Sequence, residues 1–345
     1  MRNLFTFCEI TNKYILLLRF FCIFVVDSVI NQAMRKFLGI VAITISLLSA
    51  TRVEAKIAPE ERVQLADPFI LLHGETYYAY GTHHPRGIEF YTSTDLKKWH
   101  YGGVALHRDN SYGTKWFWAP EVYQIEDKFY MYYTAEKRIC VATADSPTGP
   151  FKQVDNTPML PNEHTIDNTL FIDDDGTPYL FYVHIKHGFH IKVAELERDY
   201  MTIKQNSIAH CIKPKQRWEQ VEGRVNEGPS IIKHNGLYFM FYSGNGYKSH
   251  NYGIGCAIAR NIRGPWRKLP ENPIFQSPKE LVGVGHGAPF YDKAGKLRYV
   301  FHAHNSKDKV HPRYMNITRM AIKRSGKEYY PVISSNYHTP KKAIK

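Results

Sequence analysis

The chain has 345 residues, 43% of them hydrophobic and 14% aromatic, which is enough for one large domain with a substantial core. Its net charge of +13 comes from scattered Lys and Arg with no long basic run, so it reads as a solvated basic surface and not as a nucleic-acid footprint. Few cysteines at wide spacing and no Cys-x-x-Cys pair exclude a disulfide framework and a cysteine zinc site.

Residues 1–55 read as an N-terminal extension followed by a signal peptide at 34–55. Met34 precedes the basic pair Arg35 and Lys36, residues 37–50 are apolar, and Val53 and Ala55 stand at the −3 and −1 positions for cleavage. An earlier apolar run, 14–26, is interrupted by Arg19 and falls short of the about 20 residues a spanning helix needs. The expected product is exported, periplasmic or secreted, with no stable membrane insertion.

From residue 56 to 345 the composition, rich in Tyr and Phe, favours strands, and the fold class expected is all-β. Five copies of one pattern follow, each an apolar run, a tight turn and an aromatic strand. The turns fall at His73-Gly74, Glu126-Asp127, Asp175-Gly176, Asn235-Gly236 and Ala294-Gly295. A third strand follows in each copy, for example Ile139-Cys140-Val141-Ala142-Thr143, and a fourth is expected near Trp99, Phe151, Met201 and Trp266. Four strands per repeat of about 50–60 residues is the size of a propeller blade, so the repeat predicts a five-bladed β-propeller over 60–322. Cys140 and Cys256 lie in alternating apolar runs and are expected as buried thiols.

Alignment on the turn glycines brings four residues into register. Asp167, Glu227 and His286 each lie nine residues before Gly176, Gly236 and Gly295, and Asp67 lies seven before Gly74. Equivalent positions in a radial repeat surround one axis, so two Asp, one Glu and one His are expected at one mouth of the channel. Carboxylates crowded together split their pKa values, leaving one as acid and another as base, which is the apparatus of glycoside hydrolysis. Asp95, Asp127, Asp173, Asp174 and Asp175 read as turn residues, and His184, His187 and His190 as ordinary strand residues.

These residues carry a resemblance. Ala66-Asp67-Pro68, Trp118-Ala119-Pro120-Glu121, Ile166-Asp167-Asn168 and Asn226-Glu227-Gly228-Pro229 open successive copies, and the chain resembles glycoside hydrolase family 43 over 60–322. The resemblance implies an inverting mechanism, with Asp67 as general base, Glu227 as general acid and Asp167 setting the pKa of Glu227. It implies a flat wall from Trp118, a reach to a substrate hydroxyl by Arg313, and His286 on the axis near a calcium ion. No cofactor is required for the chemistry. The substrates implied are oligosaccharides or polysaccharides, with exo-acting α-L-arabinofuranosidase slightly ahead of β-D-xylosidase. β-Galactosidase and endo-arabinanase activity on the same fold stay open, as does a non-catalytic carbohydrate-binding propeller.

Overall fold

The computed structural model describes residues 58–343. The expected extension and signal peptide therefore lie outside the described residues, and within them no helix is long and apolar enough to cross a membrane.

Five antiparallel sheets follow one another along the chain. Their inner strands are Ala66–His73, Trp118–Ile125, Thr165–Ile172, Asn226–His234 and Gly285–Tyr291. Each inner strand packs beside the next, and Gly285–Tyr291 packs back on Ala66–His73, which makes a closed ring. The second strands are Thr76–Thr82, Lys128–Ala135, Pro178–Ile185, Leu237–Gly244 and Leu297–Ala303. The five-bladed propeller expected from the repeat is what forms.

Both faces of every blade are covered, which is why the strands read as nearly continuous apolar runs. Each hydrophobic cluster lies between two consecutive blades. Tyr80 and Phe90 of blade 1 meet Phe129 and Met131 of blade 2, and Tyr132 and Ile139 of blade 2 meet Leu180 and Tyr182 of blade 3. Phe181 and Val193 of blade 3 meet Met240 and Tyr242 of blade 4. Phe239 and Phe241 of blade 4 meet Tyr299 and Phe301 of blade 5. Val300 and Met315 of blade 5 meet Trp99 and Ala79 of blade 1. Cys140, Cys211 and Cys256 are free and buried in these layers.

The outer strands differ from expectation. Blade 2 has three strands, and the segment at Phe151 adds a single bridge, Thr143 to Lys152. Pro147 and Pro150 precede it and bring no N–H to a ladder. In blade 3 the fourth strand is Ala209–Ile212, because the stretch at Met201 is turned by Asp199, whose carboxylate accepts the N–H groups of Met201 and Thr202. Blade 5 runs past residue 322 to its outer strand Glu328–Ile333. The chain then returns to blade 1, where Lys341–Lys342 pairs in parallel with Lys98–His107 and closes the ring.

One device repeats at all five inner strands. The register breaks by a bulge between Ala66 and Phe69, Trp118 and Glu121, Ile166 and Thr169, Glu227 and Ser230, and Gly285 and Ala288. The residue in the bulge has positive φ each time: Asp67 at +49°, Ala119 at +45°, Asp167 at +50°, Gly228 at +55° and His286 at +37°. Four of these are not glycine, and strain of this kind collects at functional sites. At Gly228 a Cβ would come within 2.9 Å of the His286 ring, so glycine is required there.

The bulge corrects the alignment made from the turns. Asp67, Asp167 and His286 are equivalent, but Glu227 stands one residue earlier, in the place that Trp118 holds in blade 2. Hairpin length is the reason. The turns of blades 1, 2 and 4 have two residues, whereas those of blades 3 and 5 have five, closed by Asp173 N–H to Thr177 and Asp292 N–H to Lys296.

Candidate active site

The bulges turn their side chains into a pocket of about 820 Å³ at one end of the ring. All five blades contribute, with Asp67, Trp118, Asp167, Glu227, His286 and Arg313 among the lining residues. Every site residue expected from the sequence is therefore in one pocket.

Asp67 is 8% exposed. Arg313, just before the third strand of blade 5, donates from Nη1 to Oδ1 at 2.9 Å and from Nη2 to Oδ2 at 3.5 Å. His302 Nδ1 lies 3.2 Å from the same Oδ1 and 3.1 Å from the Asp67 backbone N–H, so its tautomer decides which of the two it serves. Burial pushes the Asp67 carboxyl up, but Arg313, His286 and the His302 hydrogen bond together outweigh it and hold the group well below the usual range. Burial also pushes His286 and His302 towards the neutral form, so the charge on Asp67 is held chiefly by Arg313.

Glu227 is as buried as Asp67 but has no cationic partner in contact. Burial raises its carboxyl to about 7, with repulsion from Asp67 adding and the Tyr252 hydroxyl, which donates to Oε1 at 2.7 Å, opposing. Asp167 is also raised well above its usual value, by burial first and then by Glu227 and Asp67. Its Oδ2 accepts the Gly228 N–H at 3.1 Å. The pair formed by Asp167 and Glu227 thus retains a proton near neutrality while Asp67 stays ionised.

His286 sits between the two aspartates, its Nδ1 3.4 Å from Asp67 and 3.8 Å from Asp167. Calcium takes six to eight oxygen ligands. Here one imidazole faces two carboxylates already engaged with Arg313 and with Gly228. Among the described residues no group of three His, Cys, Asp or Glu is arranged to hold a metal. This donor set does not fit a directly bound calcium, and no step below passes through one.

Arg313 lines the pocket and grips Asp67 with its guanidinium, a contact the sequence did not indicate, and its buried Nε–H has no protein acceptor. Trp118 is half-buried on the pocket wall and stacks on Trp116 at 5.8 Å. Two residues escaped the sequence. Tyr252 and His302 are fully buried, stack on each other at 5.8 Å, and link Glu227 to Asp67 through the Tyr252 hydroxyl and the His302 ring.

The inner-strand N–H groups are held by a latch that also has no motif. The bulge N–H of Ala119 donates to Thr82 Oγ1 at 2.9 Å, that of Asp167 to Thr134 Oγ1 at 3.1 Å, and that of His286 to Ser243 Oγ at 2.7 Å. Each acceptor is on the second strand of the preceding blade, and His302 holds the same place behind Asp67.

A family model described as glycosyl hydrolases family 43 matches residues 59–328. The chain belongs to this family. Among solved structures it is similar to an endo-1,4-β-xylanase from Bacteroides thetaiotaomicron, with 43% identity, TM-score 0.79, and coverage of 82% of this chain and 98% of that one. A thermostable family-43 glycoside hydrolase has 34% identity and TM-score 0.73, over 82% of this chain and 95% of that one. A curated relative, a β-D-galactofuranosidase of Aspergillus niger, is 26% identical over 77% of this chain and 82% of its own length. A xylan 1,3-β-xylosidase of Vibrio is 28% identical over 64% of this chain, which spans 44% of that enzyme. This family-43 chain is accordingly a glycosidase that hydrolyses O-glycosyl bonds of oligosaccharides or polysaccharides.

Proposed function

We propose that the enzyme cleaves by inversion, with Asp67 as general base, Glu227 as general acid and Asp167 as the group that sets and positions Glu227. The observation that carries this reading is the different surroundings of two equally buried carboxyls in one pocket: Asp67 lies against the Arg313 guanidinium, whereas Glu227 has the Tyr252 hydroxyl and no cation in contact. Asp67, ionised beside Arg313, can take a proton from water. Glu227, protonated to about 7, can give one to the leaving oxygen. Water attacks the anomeric carbon as the glycosidic bond breaks, its proton goes to Asp67, and the Glu227 proton goes to the departing alkoxide. No cofactor enters this balance.

The substrate proposed is the non-reducing end of a pentose-containing glycan. A pocket walled by all five blades receives a chain end more readily than a chain middle, which favours exo action. The relative with 43% identity is named an endo-1,4-β-xylanase; its xylan moves β-D-xyloside ahead of α-L-arabinofuranoside, the reverse of the order expected from the sequence, and its endo action makes cleavage within a chain the alternative to the exo reading. Export is proposed from the pattern at 34–55 and is consistent with relatives named extracellular. N-terminal sequencing of the mature protein tests it, and residues 1–33 on that protein would contradict it.

The test of the reaction is hydrolysis of aryl β-D-xyloside and aryl α-L-arabinofuranoside, with NMR of the first-formed anomer. Inverted product is expected. Retained configuration, or no turnover of either glycoside, would overturn the corresponding part of the reading.

A further inference from the structure

Beside the pocket, two short segments carry backbone strain that the catalytic residues do not explain. The turn between Lys128–Ala135 and Arg138–Ala144 consists of Glu136 at φ +47° and Lys137 at φ +58°. Two-residue turns of this kind favour Asn-Gly, because both positions are left-handed. Trp116, at φ +60°, is a bulky residue in the same region of backbone space. The two segments are tied together. Glu136 accepts the N–H and the hydroxyl of Thr114, both at 3.0 Å, and its own N–H donates to the Lys115 carbonyl at 3.2 Å.

This arrangement presents an aromatic step and a cation. Trp116 is 44% exposed and lies nearly parallel to Trp118, at 22° between planes, so the indoles lead from the pocket wall to the surface. Lys137 lines the pocket, with its ammonium 5.5 Å from the Trp116 ring centre, and Lys115 lies 4.7 Å from it. Among the described residues neither lysine joins an ion pair. The three carboxylates of the pocket lining are Asp67, Asp167 and Glu227, and the remaining charged or basic lining residues are Lys137, Arg313 and histidines.

We propose that Trp116, Trp118 and Lys137 form a subsite for a sugar that bears a carboxylate, a uronic acid held beside the catalytic carboxylates at the pocket wall. The indole faces take the apolar face of the sugar ring. The Lys137 ammonium swings on its flexible stem from the exposed ring to the carboxylate, exchanging a weak cation–π contact for a charge-assisted hydrogen bond. The subsite rests on the glycosidase reading for its place in the reaction, but its affinity can be measured without turnover.

The experiment compares the Kd of a xylo-oligosaccharide carrying one uronic acid with that of the neutral oligosaccharide, on Glu227→Gln protein. The acidic sugar is expected to bind about tenfold tighter, the scale of one hydrogen bond to a charged group, with the ratio falling as salt rises. Adding Lys137→Asn should bring the ratio near one. Asn accepts left-handed backbone, so the turn survives and Tm stays equal or rises. Lys137→Arg should keep most of the ratio. Equal affinities for the two sugars, or a ratio untouched by Lys137→Asn, would overturn the subsite. A preserved ratio in protein whose wild type hydrolyses neither sugar would support the subsite and count against the reaction proposed above.

Discussion

At the joints between blades 5 and 1, 1 and 2, 2 and 3, and 4 and 5, the bulge N–H faces a polar side chain on the second strand of the preceding blade. Those side chains are His302, Thr82, Thr134 and Ser243. At the joint between blades 3 and 4 the equivalent residue is Val183, paired with Ile166 and unable to accept a hydrogen bond. There the Gly228 N–H goes to the carboxylate of Asp167 instead. The departure falls at the joint beside Glu227. A carboxylate drawn across a joint to satisfy backbone is held in one place, next to the acid whose proton it influences. The structural latch and the chemical pair are one arrangement at this joint and separate elsewhere.

The largest effects should come from removing the two charge states that the ring creates. Asp67→Asn is expected to lower kcat by about 10²–10⁴-fold on every leaving group, because nothing replaces the base. Arg313 would then face a neutral amide. A leaving-group-dependent loss would argue against the base role.

Asp167→Asn acts next, at the unusual joint. In the microstate where the pair's proton sits on Glu227, Asp167 is ionised and opposes loss of that proton, so removing Asp167 should lower the pKa of Glu227. The alkaline limb of the kcat profile then moves to lower pH, and kcat at neutrality falls as less Glu227 is protonated. An unmoved limb with a reduced plateau would reduce Asp167 to a structural role.

A smaller effect is expected from giving the odd joint the ordinary latch. In Val183→Thr the hydroxyl competes for the Gly228 N–H, so Asp167 loses a stabilising donor and its pKa rises further. The expected outcome is a severalfold change in kcat, read with a pH profile displaced from wild type. A change in KM alone would show that the latch does not reach the acid.

Smallest in rate, but visible in stability, is Thr134→Val. It leaves the buried Asp167 N–H without an acceptor, at about 1–3 kcal/mol, and Tm should fall by roughly 2–4 °C for each kcal/mol. Full stability in this variant would mean that the N–H finds another acceptor.

Much of this could be read before any coordinates. Five apolar runs with Gly, Asp and Asn turns specify five hairpins, and hairpins repeated at blade spacing specify the ring. The motif residues Asp67, Trp118, Asp167, Glu227 and His286 indeed converge. The one-residue offset of Glu227 was hidden because the hairpins use two- and five-residue turns, so a glycine is not a fixed marker of register. Thr82, Thr134 and Ser243 were invisible as latches because a single hydroxyl on a strand has no pattern of its own. Tyr252 and His302 meet from different blades, and their stacking depends on ring closure that sequence spacing does not display. The outer strands were overcounted where prolines break the ladder.

The most direct test of the divided charge states is the pH dependence of kcat/KM on an aryl glycoside with an acidic phenol leaving group, for wild type and Glu227→Gln. Below the Glu227 pKa the acid is protonated and active, and above it the proton is lost. Wild type should therefore hold a plateau on the acid side and fall as pH rises through about 7. Glu227→Gln should keep measurable activity on this leaving group and lose that alkaline fall. An alkaline limb that persists unchanged in Glu227→Gln would show that another group supplies the proton and would contradict the assignment.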